Sequence, residues 1–71
     1  MADVANELLQ ACNSASRDGA DFPTIWQKIL KGNIFVTGTP IQGINNEGPT
    51  LEIPLLTGQR LIFGAKVISL G

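Results

Sequence analysis

Histidine and tyrosine are missing from this chain of 71 residues, and cysteine occurs once. Without histidine there is no Ser-His-Asp or Cys-His pair and no imidazole metal ligand. A single thiol excludes an intramolecular disulfide and a Cys-rich zinc site. Charge is scarce as well. Five basic and six acidic side chains make up 15% of the chain, where an average soluble domain carries about 25%. The net charge of −1 disfavours nucleic acid and acidic lipid as partners, since either would call for clustered Lys and Arg. Arg17, Lys28, Lys31, Arg60 and Lys66 are instead scattered along the sequence.

Long hydrophobic runs are also absent. No stretch approaches the 18 or so apolar residues of a membrane helix, so no membrane partner is expected. Residues 1–16 carry Asp3 and Glu7 and no basic n-region, so they do not read as a signal peptide. Met1 favours an intact start. A lone thiol without a secretion signal fits a reducing, cytoplasmic setting.

What is present is apolar: hydrophobic residues make up 44% of the chain. Ordering costs roughly 1.5 kcal/mol per residue, and a domain this small offsets that cost only narrowly. Disulfides and metals are unavailable as supports, so the excess apolar surface predicts a protein partner, a second copy of the chain included.

The spacing changes near Gly32. Ala5, Leu8, Leu9, Cys12 and Ser16 fall on one helical face, predicting a helix over 3–16 that starts at Asp3 and stops before Gly19. Asp21 as N-cap, Pro23 in the first turn and Gly32 at the far end mark a second helix, with Phe22, Ile25, Trp26, Ile29 and Leu30 as its buried stripe. Beyond it, β-branched residues in short runs predict strands at 34–37, weakly at 41–44, then a hairpin of 51–56 and 59–63, and a last strand at 66–70. Pro54 marks its strand as an edge or a bulge. The expectation is one α+β domain over 1–71: a helical pair at 1–32 packed on a meander-like antiparallel sheet of three to five short strands at 33–71.

No catalytic or metal set emerges, and no cofactor is implied. Asp18 and Asp21 lack the alternating ligands of a calcium loop and read as turn and cap. Gly38 to Gly43 has phosphate-loop spacing, but Ile44 and Asn45 stand where Lys and Ser/Thr belong. Cys12 lies among Leu8 and Leu9, as a small hydrophobe does. Trp26 belongs to the apolar stripe and reads as core.

Two binding readings follow. The first is a non-enzymatic protein-interaction module, self-associating through strand edges that carry Leu51, Ile53 and Leu55 or Val67, Ile68 and Leu70. On it, Ile68→Lys is expected to separate the copies without unfolding them. The second rests on Thr24, Gln27, Lys28 and Lys31, which share the polar face of a regular second helix. With Arg60 on the hairpin they resemble a winged helix-turn-helix in outline. The number of strands and the nearby Asp18 and Asp21 weigh against it.

Overall fold

Asp3 opens the first helix as expected. Its side chain accepts the Asn6 N–H at 3.1 Å, and helix α1 spans Val4–Arg17. In the computed structural model, which describes residues 3–65 and 67–71, Ala5, Leu8 and Cys12 form the buried stripe of α1 and Leu9 flanks it. Ser16 leaves that stripe and is exposed.

The second helical piece is short and irregular. Asp21 caps it, accepting the Thr24 N–H at 3.1 Å and the Thr24 hydroxyl at 2.7 Å. Only Phe22–Ile25 is α-helical (α2), and Trp26–Leu30 continues as a π-helix in which the Lys31 N–H reaches back to the Trp26 carbonyl at 2.7 Å. Lys31 already has extended backbone angles. The wide turn leaves Leu30 fully buried with Ile25, while Phe22, Trp26 and Ile29 pack against the core from its margin.

The sheet is an antiparallel meander of four strands in the order β1-β2-β3-β4: β1 Ile41–Asn45, β2 Gly48–Pro54, β3 Arg60–Phe63 and β4 Ile68–Leu70. Its inner face carries Ile53, Leu61 and Phe63, which join Leu55 and the helical residues in one buried cluster. Phe22 meets Phe63 edge to face, with ring centres 5.0 Å apart. The outer face carries Thr50, Glu52, Arg60 and Ile62. Arg60 and Glu52 form an ion pair at 3.1 Å across it.

Three expectations about the strands need correction. The run at 34–37 does not form a strand of its own. Asn33 ties it into a turn, accepting the Phe35 N–H on its side chain and the Val36 N–H on its backbone, as Asn does in competition with a ladder. Only Val36 pairs, as a single bridge to Leu55. The segments 34–37 and 41–44 are therefore two pieces of one outer strand. Between the pairs Val36–Leu55 and Ile41–Glu52, residues 37–40 face only Ile53 and Pro54, so two extra residues bulge there. Secondly, of the two readings of Pro54, an edge or a bulge, the edge does not hold because β2 is an inner strand, and Pro54 lies instead opposite the 37–40 bulge, where its missing N–H interrupts no β1–β2 pair. Thirdly, the last strand begins at Ile68, after Val67, with Lys66 outside the described residues.

Candidate functional site

The sheet has two edges, and they are treated differently. Helix α1 lies against β4, whereas the close neighbour of β1 among the described residues is β2. Which groups β1 leaves open follows from the ladder. The Leu55 N–H bonds the Gln59 carbonyl on the β3 side, and the Pro54 carbonyl accepts the Thr37 N–H on the other side. In an antiparallel pair each residue directs both of its backbone groups to the same neighbour, and successive residues alternate. Thr50 and Glu52, in step with Pro54, therefore bond Gly43 and Ile41, their register partners. Gln42 and Ile44 face away. Among the described residues, nothing bonds their N–H or carbonyl groups.

This edge has few of the usual defences against strand pairing. The bulge at 37–40 and Pro40 blunt its beginning, but residues 32–46 carry no charge at all, and inward or edge-placed Lys is the common deterrent. Ile41 is 46% exposed and Ile44 79%. Gly43, between them, is required by what lies beneath it: a Cβ there would come 2.8 Å from Thr50 Oγ1 and would also strike the Glu52 carboxylate. Thr50 is buried, and among the described residues its hydroxyl has no hydrogen-bond partner.

Beside this edge, on the inner face, a groove of about 630 Å³ runs between Asp21, Phe22 and Ile25 on the helical side and Gln42, Leu51 and Phe63 on the sheet. It exists because the helical cover lies over β4 and stops short of β1. Asp21 stands at its rim. Hydrogen bonds from the Thr24 side chain and then its backbone hold the Asp21 carboxyl below its ordinary value, so it is ionised at neutral pH.

The residues expected to bind separate into groups. Leu51, Ile53 and Leu55 do not form an edge: β2 lies between β1 and β3, Ile53 and Leu55 are core, and Leu51 packs against the core. On β4, Ile68 and Leu70 also pack against the core, while Val67, just before the strand, is 57% exposed and lines the groove with Ile68. The polar helical face is not carried by a regular α-helix. Thr24 is engaged with Asp21, the π-turn breaks the α-helical spacing of Gln27 and Lys28, and Lys31 has left the helix. Arg60 sits on the outer sheet face with Glu52, across the sheet from the helices. Cys12 is fully buried, and burial pushes its thiol up to about 11. No family model, curated protein or solved structure matches the chain.

The sequence reading missed β1 as the open edge because Gly43 interrupts its apolar pattern and makes 41–44 a weak strand. The uncharged run from Gly32 to Asn46 was the available signal.

Proposed function

We propose that this chain is a non-enzymatic protein-interaction module of the cytoplasm that binds by accepting an extended strand from another polypeptide, a second copy included, at the free edge of β1. The observation that carries this reading is the set of four open backbone groups on Gln42 and Ile44, on a strand with no charge and two exposed isoleucines. A strand laid there gains main-chain bonds along β1, and its inward side chains come to the mouth of the groove. The placement of the carboxylates supports a role without catalysis: Asp3 and Asp21 cap helices, and Glu52 is paired with Arg60. Among the described residues no three His, Cys, Asp or Glu side chains are grouped to hold a metal. No helix among them is long and apolar enough to cross a membrane.

A photo-reactive residue at position 42, with a control at the exposed Gln10 of α1, tests the reading in an extract of the source cells. The expected result is polypeptide adducts at position 42 that are lost on Ile44→Lys and absent at position 10. Equal labelling at both positions, or adducts to nucleic acid, would refute it.

A further inference from the structure

We infer that the strand that docks on β1 is β1 of a second copy, antiparallel, with the two-fold axis passing through Gly43. This rests on the strand-accepting role proposed above and specifies its partner. The register follows from the hydrogen-bonding groups. Within β1 only Gln42 and Ile44 point to the free edge. A two-fold pairing centred on Gly43 sets Gln42 of each copy opposite Ile44 of the other and satisfies all four groups on each chain. Centring on Gln42 leaves Ile44 unpaired, and centring on Ile44 leaves Gln42 unpaired.

The side chains agree with that register. At the axis, Gly43 faces Gly43 as a non-hydrogen-bonded pair, where Cα atoms approach to about 4.5 Å, and no side chain obstructs the approach. On the inner face, Ile44 of one copy, 79% exposed in the single chain, is set opposite Gln42, a lining residue of the other copy's groove. The apolar side chain of each copy thus covers the mouth of the other's groove. Two identical strands repel each other when like charges meet, and residues 32–46 carry none. The single chain also exposes 4683 Å², against about 4,250 Å² for a compact monomer of its mass. The contact is one strand edge per chain, so the pairing is governed by concentration, and its product is a continuous eight-stranded sheet.

Disulfide trapping reads the register directly. Gln42→Cys and Ile44→Cys variants are prepared separately, mixed at millimolar protein and oxidised, with Cys12 left in place because it is buried. Both substituted positions are exposed, and circular dichroism of each variant verifies that the fold is kept. The expected product is the mixed 42–44 disulfide, in many-fold excess over either same-site disulfide and identified by peptide mass. A dominant 42–42 or 44–44 disulfide would overturn the two-fold at Gly43. So would the absence of any disulfide together with a monomeric mass by light scattering at the same concentration. In that last case, polypeptide adducts at position 42 in the extract would preserve the strand-accepting role with a different partner, and their absence would remove both.

Discussion

The two outer strands of this sheet are opposite solutions to one problem. β4 has three residues, buries Ile68 and Leu70 against the core and lies under α1. β1 has five, keeps Ile41 and Ile44 exposed and, among the described residues, has β2 as its close neighbour. An edge strand is a template for further pairing unless it is covered, charged or bent. β4 is flanked by α1, although among the described residues the outward backbone groups of Ile68 and Leu70 have no hydrogen-bond partner either, and the outer strand is bent only at 37–40. The difference teaches that the helical layer, being little more than one regular helix, packs beside one edge and not the other.

Charged substitutions sharpen the contrast most. Ile68→Lys is expected to cost about 3 kcal/mol, by removing a half-buried isoleucine from the margin of the core and setting an ammonium on the groove wall. A 71-residue domain holds roughly 4–10 kcal/mol in all, so urea unfolding should show a population of unfolded chain at little or no denaturant. The sequence alone suggested that this substitution would separate copies and spare the fold. On the proposed β1 pairing, that behaviour is expected of Ile44→Lys instead.

The covered edge should also respond to alkali where the open one does not. The Cys12 thiol, on the α1 face of the core, ionises at about 11 in the folded chain, raised by burial from an ordinary value of 9.0. Between those values the unfolded chain holds fewer protons, so stability falls as pH rises. The loss should total roughly 2–3 kcal/mol, and a Cys12→Ala variant should lack this component in unfolding curves taken across the same range.

A smaller effect lies under the open edge. Thr50 is buried opposite Gly43, with its hydroxyl unpaired among the described residues. Thr50→Val keeps the shape and removes the stranded group, and should raise stability by about 1 kcal/mol. An unchanged or lower urea midpoint would mean that the hydroxyl is satisfied. Smallest of all, Ile44→Lys should change monomer stability by less than about 0.5 kcal/mol while abolishing concentration-dependent association in light scattering.

Much of this architecture is legible in the sequence, and the gaps have physical causes. Asp3 and Asp21 announce their caps because a short carboxylate before an apolar repeat has few other uses. The hairpin around Gly58 and the antiparallel order follow from short loops between apolar runs. Strand partners were less accessible. Pro54 suggested an edge or a bulge, and the sequence could not choose between them: the strand is an inner one and the bulge lies across from Pro54 in its neighbour. The π-turn at Trp26–Leu30 departs from the regular helix on which the shared face of Thr24, Gln27, Lys28 and Lys31 was read, and Lys31 already has extended backbone angles. The candidate site was the least legible part. An open edge is defined by what fails to cover it, and no local pattern in β1 records the position of α1.

Amide hydrogen exchange along β1, followed by NMR in dilute and in concentrated protein, is the most direct measurement. In dilute solution Gln42 and Ile44 should exchange rapidly while Ile41 and Gly43 are protected by β2, and on concentration the two fast amides should become protected together. Protection of Gln42 and Ile44 in dilute solution, or rapid exchange at every concentration, would contradict an open edge that pairs with its own copy.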